Sequence, residues 1–458
     1  MSQKQRYRFT IQSVSPVHFG DGEDGEDGKA VLRNSSGEPF LCGNAIGGAL
    51  RDYLRAVQVP EQDIRNCMGG VEPVKQDENT NSDKPKESFV TSSIYISDAR
   101  LLKREGKREP KVYREGTAID AHTGAALDKQ KYKLEYLPVG TELSFTIEFE
   151  DQNFESFIQI WKNGIKSGAL QFGGKKSNGF GCFELLKLER QVWAFQCAED
   201  VDAYLFEGSN DHSESLSTER DEGELHAQMS FTLSGKFPYG VYQAFALSES
   251  EHSIEGTLTG LLKEGGTYVI PATSIRGLLR QQVYKLLIRM TDSTELADKK
   301  CAEMFGSKDG RGKFSFEDVK LSEVKRVVVE RPEKEKDAEP TYVKIDRLTG
   351  SAFKGALKRQ REIQAEAVIE IGLDAIDESH RRYVFPIVYA LRLLGSGQLP
   401  IGGRTGIGLG QFYANHTVMK GHGLETSLSL SNSGRIESAV EATLRIYYKE
   451  FERWCRAE

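Results

Sequence analysis

Runs in which apolar and polar residues alternate recur along the chain and predict β-strands, as in RFTIQS (8–13). Two further segments, FLCGNAIGGALRDYL (40–54) and YVIPATSIRGLLRQQ (268–282), predict a strand, a turn of small residues and the start of a helix. Asn44 and Thr273 are expected near the N-caps of these two helices. The chain therefore combines strands and helices within one repeating pattern.

The predicted elements occur in the same order in both halves of the chain, which indicates an internal duplication. Each half closes with a predicted helix, at about 153–166 or 380–394, followed by a glycine-rich segment and a strand. The other paired segments are SSIYISDARLL (92–102) with GKFSFEDVKLS (312–322), which aligns Asp98 with Asp318; TAIDAHTGAA (117–126) with VKIDRLTGSA (343–352), which aligns Asp120 with Asp346; and FGGKKSNGFGCF (172–183) with IGGRTGIGLGQF (401–412).

We predict an α+β protein with two tandem units, each a small antiparallel sheet backed by helices in a ferredoxin-like arrangement. The first unit is expected at 1–198 and the second at 226–420. The acidic, serine-rich stretch 199–225 is predicted to be a linker. Residues 421–458 are predicted to form a helical tail without a counterpart in the first half.

Composition narrows the class of protein. The apolar content of 38% and the charged content of 28%, without a long apolar run, predict a soluble protein with no membrane span. The N-terminus MSQKQRYRFT lacks the apolar core of a signal peptide, so we expect a cytoplasmic protein. Six widely separated cysteines without a CxxC pair disfavour a zinc site or a disulfide framework.

The net charge of −7 is unevenly distributed, because residues 199–224 contain ten acidic residues and one arginine. The remainder of the chain carries a formal charge of +2, and the stretch 101–115 is locally basic. A polyanionic partner such as nucleic acid is therefore compatible with the composition, since phosphates respond to the local field.

The two glycine-rich segments resemble anion-binding loops, because glycines let backbone N–H groups approach a phosphate. Neither segment ends in Gly-Lys-Ser/Thr before a helix, so nucleotide triphosphate hydrolysis is disfavoured. A tight turn is the alternative for one such loop, but two matched loops with basic residues favour binding of a nucleic-acid backbone. The residues expected to contact it are Gly173, Gly174, Lys175, Lys176, Gly402, Gly403 and Arg404.

Four ordered motifs carry a family resemblance, IPATSIRGLLR, MFGSKDGRGKFSFEDVKL, IDRLTGSA and GGRTGIGLGQF, together with weaker copies in the first half. The chain resembles the RAMP superfamily of CRISPR systems, specifically the family-seven Cas backbone subunits of type III effector complexes. Two fused units are similar to the double backbone subunit of the type III-D branch. The resemblance implies RRM-like palms, inserted β-hairpin thumbs that kink the crRNA and its target, and crRNA, single-stranded target RNA and other type III Cas subunits as partners.

The resemblance also implies roles for individual residues. The turn and helix start of each half would bind crRNA phosphates without reading the bases. In the first half Gly47 stands where the second half has Arg276, so guide contact there is expected to be weaker. The positions carried over are Gly43, Asn44 and Arg51 in the first half and Thr273, Ser274, Arg276 and Arg280 in the second.

Type III backbone subunits carry an aspartate after the first strand that cleaves target RNA, and the matching position here is Asp27 in FGDGEDGEDGKAVLR. Asp24 and Glu26 are the alternative registers, and a solvated acidic loop is the structural alternative. The resemblance implies a divalent metal, Mg²⁺ or Mn²⁺, for cleavage. In the second half Glu255 lies nearest the matching position, which favours a unit that does not cut.

Some conspicuous residues have ordinary structural explanations. His18 lies among apolar residues at a strand end and is expected to be packed in the interior. Asp120 and Asp346 each precede a Thr-Gly pair, which is typical of a turn at the base of a thumb.

Three functions remain open on the sequence. The first is a crRNA-binding backbone subunit that cleaves complementary RNA through its first unit. The second is a structural backbone segment without activity, and the third is a RAMP ribonuclease that processes precursor crRNA.

Overall fold

The computed structural model describes residues 3–25, 28–72, 88–102, 111–120, 126–150, 154–193, 195–206, 213–216, 229–246, 258–307, 310–329, 339–353, 357–373, 378–421, 424–428 and 438–457. The chain divides into two compact units, one within Met1–His226 and the other from Ala227 to Glu458. Two short segments, Ile119–Ala125 and Ser177–Gly179, group with the second unit. The residues 421–458 therefore belong to the second compact unit.

The elements of the first unit, in chain order, are β1 (Lys4–Ser13), β2 (Gly20–Gly25), β3 (Gly28–Val31), β4 (Phe40–Leu41), α1 (Gly43–Ala56), α2 (Glu61–Met68), β5 (Gly70–Glu72), β6 (Ser88–Val90), β7 (Ile94–Ile96), β8 (Ala99–Leu101), β9 (Val112–Ile119), β10 (Ala126–Tyr136), β11 (Glu142–Phe149), α3 (Glu155–Lys166), β12 (Phe183–Trp193), α4 (Ala198–Phe206) and β13 (Ser213–Leu216).

Those of the second unit are β14 (Met229–Val241), β15 (Phe245–Ala246), β16 (Leu258–Gly260), β17 (Leu262–Glu264), β18 (Thr267–Ile270), α5 (Ala272–Thr291), α6 (Thr294–Phe305), β19 (Phe314–Phe316), β20 (Val319–Arg326), β21 (Thr341–Tyr342), β22 (Lys358–Gln360), β23 (Ile363–Leu373), α7 (Val384–Gly395), β24 (Tyr413–Gly421), β25 (Leu424–Leu428) and α8 (Ser438–Arg456). Both helices predicted before the glycine-rich segments are confirmed as α3 and α7.

Each unit is built on a central antiparallel sheet with the same strand order. The first central sheet runs β13-β12-β1-β11-β8-β4, with β7 also paired to β11, and the second runs β25-β24-β14-β23-β20-β18-β17, with β19 also paired to β23. Numbered by their place in a β-α-β-β-α-β unit, the four inner strands have the order 4-1-3-2 in both sheets. This is the predicted ferredoxin-like arrangement.

Alternation along the central strands places one face of each sheet in a core. On β1, Phe9 and Ile11 are fully buried while the intervening Thr10 is half-buried. Phe9 lies opposite Phe145 on β11, and their rings stack with centroids 5.0 Å apart. The helices α1 and α3 cover this face, with Ile46 among the residues that they bury. The period of two in the sequence therefore decides which face carries the helices.

A second, smaller sheet accompanies each central sheet. The first thumb sheet has the order β2-β3-β10-β9, and the second has β15-β16-β22-β21. In both, the strand from the loop after the first central strand pairs in parallel with the returning strand of the inserted hairpin. The inserted thumb hairpins predicted from the sequence are thus matched elements of the two units.

Buried ion pairs of opposite polarity lie at the bases of the two thumb sheets. Glu135 at the end of β10 is 3% exposed at its side chain and binds Arg33 at 2.5 Å. At the matching place in the second unit Arg361 binds Glu339 at 2.5 Å, with side chains 7% and 12% exposed. Glu135 and Arg361 occupy matching positions in the two units. Leu137, two residues after Glu135, forms a β-bridge with Val17, and Ile363, two residues after Arg361, pairs with Val241.

The helix α8 explains a difference between the helical layers of the two units. α7 presents apolar residues to α8, and Phe385 contacts Tyr448 with ring centroids 4.9 Å apart. The residue matching Phe385 on the equally long α3 is the exposed Ser156. The first unit therefore has a solvated face where the second unit has an apolar face that requires a cover.

Two strands lie in segments where the sequence predicts none: β13 within the predicted linker 199–225 and β25 within the predicted helical tail 421–458. Within the predicted linker 199–225 the chain forms most of α4 and the strand β13, which pairs with the edge strand β12. β25 pairs with β24 in the same way. An edge strand is thus common to both units, whereas the part of the first unit that the structure describes has no helix that matches α8. The pairing of such short edge strands depends on contacts with residues far away in the chain, so the polar sequence of the segment does not predict it.

Candidate RNA-binding surface

The two glycine-rich segments adopt the same backbone conformation. Lys175 and Arg404 occupy matching positions in the left-handed region, with φ of 61° and 59°. Each is followed by one turn of 3-10 helix, Lys176–Asn178 or Thr405–Ile407. A non-glycine residue with positive φ is uncommon, so its recurrence at both positions indicates a shared, specified loop.

Glycine is required where the loop closes on itself. At Gly181 and Gly410 a Cβ atom would lie 2.2 Å and 2.0 Å from the carbonyl oxygens of Phe172 and Ile401, respectively. The same pairs exchange a backbone hydrogen bond, in which the N–H of Phe172 or Ile401 donates to the glycine carbonyl at 2.9 Å or 2.8 Å. The glycines therefore allow a close backbone approach that no other residue fits.

Other loop amides anchor the segment to its own unit. The N–H of Gly174 donates to the His18 carbonyl at 2.8 Å, and the N–H of Gly403 donates to the Tyr242 carbonyl at 2.7 Å. The amides of Gly174 and Gly403, both predicted to contact RNA, are thus engaged within the fold. His18 itself is 5% exposed and its Nδ1 lies 2.8 Å from the Glu135 carbonyl, which confirms the expected packed histidine.

Arg404 is held by an aromatic side chain of the second thumb sheet. The centre of its guanidinium lies 4.6 Å from the ring centroid of Tyr342. The Tyr342 hydroxyl donates to Oε1 of the buried Glu362 at 2.5 Å. Burial, and then the hydrogen bond to the Glu362 carboxylate, raise the pKa of Tyr342 from 10.0 to about 12.

A contact between an arginine and aromatic rings also joins the thumb sheet of the first unit to its glycine loop. Arg114 on β9 is 7% exposed, and its guanidinium lies 5.0 Å from the ring of Phe180 and 5.2 Å from the ring of Tyr136. Here the arginine comes from the thumb sheet and an aromatic ring comes from the loop. Both contacts lie within the range of cation–π interactions.

The helix starts are capped by matching aspartates. The N–H of Gly43 donates to Asp98 Oδ1 at 2.8 Å, and the N–H of Ala272 donates to Asp318 Oδ1 at 2.7 Å. The structure therefore confirms the alignment of the two aspartates. The expected N-caps are wrong by two residues, because Cys42 and Pro271 hold those positions, and Asn44 and Thr273 are exposed in the first turn.

In the second unit one side chain connects the glycine loop with the start of α5. Gln243 is 7% exposed, and its Nε2 donates to the Ser274 hydroxyl at 3.0 Å. Its Cγ lies 3.5 Å from the Cβ position of Gly402. Phe19 takes the matching place beside Gly173, 2.9 Å from its Cβ position. In the second unit the predicted glycine-loop residue Gly402 and the predicted helix-start residue Ser274 thus both lie beside Gln243.

The predicted arginines of the helix starts also have structural partners. Arg51 donates to the carbonyls of Met68 and Gly69 at 2.6 Å and 3.0 Å, at the end of α2. Arg276 donates to the Phe305 carbonyl at the end of α6. Arg280 is exposed, on the next turn of α5. Arg51 and Arg276 therefore both bind the C-terminal end of the helix that follows their own in the chain.

A family model of the RAMP superfamily matches residues 10–184 and 257–413, which together make up more than half of the chain. The chain belongs to the RAMP superfamily. The two matched regions coincide with the two units, so this chain is a tandem RAMP protein. Membership supports, in general terms, a CRISPR-associated RNA-binding role with crRNA and other Cas subunits as partners. A search of curated proteins finds no match.

The expected cleavage position of the first RAMP unit, Asp27, lies outside the described residues, as does Glu26. The strands on either side, β2 and β3, pair with each other and belong to the first thumb sheet. Glu255 of the second RAMP unit also lies outside the described residues.

The turn expected at Asp346 is confirmed. Its Oδ1 accepts the N–H of Leu348 at 2.9 Å, and its carbonyl accepts the N–H of Gly350 at 2.8 Å. The Leu348 N–H lowers the pKa of the Asp346 carboxyl. Asp120 ends β9 and is half-buried, and the Thr-Gly pair that follows it lies outside the described residues.

Three further observations concern metal sites, cysteines and membrane-spanning helices. In the part of the chain that the structure describes, no three His, Cys, Asp or Glu side chains converge as a metal site. All six cysteines are thiols rather than disulfides. No described helix has the length and apolar character needed to cross a membrane.

Proposed function

We propose that this tandem RAMP protein is a crRNA-binding backbone subunit of a type III CRISPR ribonucleoprotein that cleaves target RNA through its first unit. The repeated backbone conformation of the two basic glycine loops carries the proposal. A loop conserved in conformation over two units within one chain, beside an exposed helix start, suits a ribose-phosphate chain that repeats in the same way.

Binding in this proposal is independent of base identity. Lys175, Lys176 and Arg404 supply charge at the loops, while Asn44 and Thr273 supply polar groups at the helix starts. Contacts of this kind position a nucleic-acid backbone and carry no sequence information, which leaves sequence recognition to base pairing of the guide.

The thumbs support the kinking of a guide–target duplex. Matching apolar residues on the two hairpins are exposed: Ile119 at 55% and Leu127 at 42% in the first hairpin, and Ile345 at 56% and Phe353 at 45% in the second. Leu348 in the second hairpin is 94% exposed. Apolar side chains displayed on a hairpin suit insertion between bases, since such wedges unstack nucleic acid.

Cleavage is assigned in this proposal to Asp27. A carboxylate beside a nucleotide whose base is splayed out would accept the proton of the 2′-OH as that oxygen attacks the adjacent phosphate in line. A 2′,3′-cyclic phosphate would form as the bond to the 5′-oxygen of the next nucleotide breaks, and that oxygen would take a proton from water. A divalent cation, Mg²⁺ or Mn²⁺, would supply positive charge at this phosphate. Glu255 in the second unit is proposed to be inactive.

The test is target-RNA cleavage by the assembled complex containing Asp27→Asn. We expect a loss of about 10²- to 10⁴-fold in the cleavage rate, the usual contribution of a general base, with crRNA binding and assembly unchanged. Asp24→Asn and Glu26→Gln are matched controls that remove the same charge at neighbouring positions, and they are expected to leave cleavage intact.

The outcomes separate the open functions. Cleavage that persists in all three variants would assign the activity elsewhere and leave the chain as a structural backbone segment. Incubation of the isolated chain with repeat RNA tests for processing, and cutting of that RNA without a guide would favour the processing ribonuclease.

A further inference from the structure

The second unit holds one of its loop cations, Arg404, in a fixed place. Arg404 is fixed at its backbone, because it has φ of 59° and follows Gly403, whose N–H is bonded to the Tyr242 carbonyl at 2.7 Å. Its side chain is then held by the ring of Tyr342, 4.6 Å from the guanidinium centre.

Tyr342 is itself fixed from the opposite end. Its hydroxyl donates at 2.5 Å to Glu362, a carboxylate that is 4% exposed at the base of the second thumb sheet. The chain of contacts thus runs from a buried carboxylate, through a phenol and a ring face, to a guanidinium in the glycine loop. An arginine loses considerable side-chain freedom on binding a phosphate, and a side chain ordered in advance loses less.

The first unit offers the natural comparison. Lys175 has the backbone conformation of Arg404 and is exposed. The position that matches Tyr342, immediately before the aligned segments 117–126 and 343–352, is Gly116, which has no ring. The arginine of the first thumb sheet, Arg114, is buried against Phe180 and Tyr136.

We propose that Tyr342 is a positioning residue for RNA binding, which orders the Arg404 guanidinium to receive a backbone phosphate. This inference rests on the proposed function, in which the glycine loops bind the ribose-phosphate backbone. It adds a residue outside the predicted set.

The experiment is a double-mutant cycle on the full chain with a fluorescein-labelled, unstructured single-stranded RNA. The variants are Tyr342→Leu, Arg404→Ala and the pair, and affinity is measured by fluorescence anisotropy over a series of salt concentrations. Tyr342→Leu is expected to weaken binding about threefold to tenfold, the range of a partly desolvated cation–π contact. It keeps the charge, so the dependence of log affinity on log salt keeps its slope, whereas Arg404→Ala reduces that slope by about one.

The decisive result is the effect of Tyr342→Leu when Arg404 is already alanine. If Tyr342 acts through the guanidinium, the second substitution has no further effect on affinity. Tyr342→Phe retains the ring face and is expected to retain most of the affinity, while the matched loop variant Lys175→Ala leaves the coupling unchanged. A purely structural role of Tyr342 would weaken binding equally in both backgrounds.

Several outcomes overturn the inference: equal effects of Tyr342→Leu in the two backgrounds, no effect of that substitution on affinity, or no effect of Arg404→Ala. A wild-type chain that does not bind the RNA refutes the proposed function instead, so the two failures are distinguishable. Thermal unfolding of Tyr342→Phe and Tyr342→Leu checks that each affinity belongs to a folded chain.

Discussion

Replacing Gly410 by alanine tests the geometry of the second glycine loop. The backbone of Gly410 has φ of +82°, and an added Cβ would lie 2.0 Å from the Ile401 carbonyl oxygen. The obstacle is a backbone atom, which cannot rotate away as a side chain does. The substitution must therefore displace one side of the loop.

The magnitude follows from what the displacement breaks. Left-handed φ costs a non-glycine residue about 1–2 kcal/mol. Gly410 also accepts the N–H of Ile401 and donates to the Gly240 carbonyl, both at 2.8 Å, and each lost backbone hydrogen bond is worth about 1 kcal/mol. We expect Gly410→Ala to destabilise the loop and the adjoining strand β24 by about 3–4 kcal/mol.

Hydrogen–deuterium exchange read by mass spectrometry suits this test, because unfolding of a chain with two units is not a two-state process. Peptides covering β24 are expected to lose protection by about 100-fold or more, since 1.4 kcal/mol corresponds to a factor of ten. The matched control is Gly406→Ala in the same loop, where an added Cβ meets nothing within 4 Å. Equal exchange in the two variants would refute the close approach that defines the loop.

The same reasoning predicts an equivalent effect in the first unit. At Gly181 the added Cβ would lie 2.2 Å from the Phe172 carbonyl oxygen, with φ of 85°. Gly181→Ala is expected to reduce protection in β12. Unchanged protection there would contradict the equivalence of the two loops.

Three further outcomes follow from the second unit. Asp318→Ala removes the carboxylate that caps α5, and amide exchange in α5 is expected to accelerate by about 5- to 30-fold, which corresponds to about 1–2 kcal/mol; unchanged exchange would show that the cap is dispensable. Lys300→Met leaves the two carbonyls that its ammonium binds at the end of α8 without that donor, so amide exchange in α8 should accelerate by about tenfold, while the exposed Lys299→Met has no such effect. Burial raises the pKa of Tyr383 from 10.0 to about 12, so its contribution to stability is complete below pH 10 and falls as the pH rises towards about 12; Tyr383→Phe should flatten this decline in the calorimetric transition of the second unit, and an identical pH dependence would exclude the phenol as its source.

The features that the sequence predicts well are those with local causes. The two glycine loops are recognisable in the sequence because positive φ and close backbone approach require glycine at fixed spacings. The backbone torsions of the two loops match as well. The strand alternation and the helices α3 and α7 likewise depend on short-range periodicity. The aligned pair Asp98 and Asp318 was visible as a repeat even though its role was not.

The features that the sequence conceals depend on residues far apart in the chain. Asp98 accepts the N–H of a helix start 55 positions earlier, and Asp318 accepts that of a helix start 46 positions earlier. Local capping patterns point instead to Asn44 and Thr273, which do not cap these helices. The partners of Arg51 at the end of α2 arise from the packing of two helices. Hydrophobic periodicity does not predict such contacts, whereas the alignment of the two halves identifies Asp98 and Asp318 as residues that recur.

The ion pairs at the thumb bases join different segments in the two units. In the first unit Glu135, on the returning strand of the hairpin, binds Arg33, which lies after β3 and outside the hairpin. In the second unit Arg361 binds Glu339, which lies on the outgoing side of the same hairpin. Removing the first hairpin would therefore separate its pair and leave Arg33 without this carboxylate, and breaking a buried pair in this way is strongly unfavourable, whereas the second pair would leave together with its hairpin.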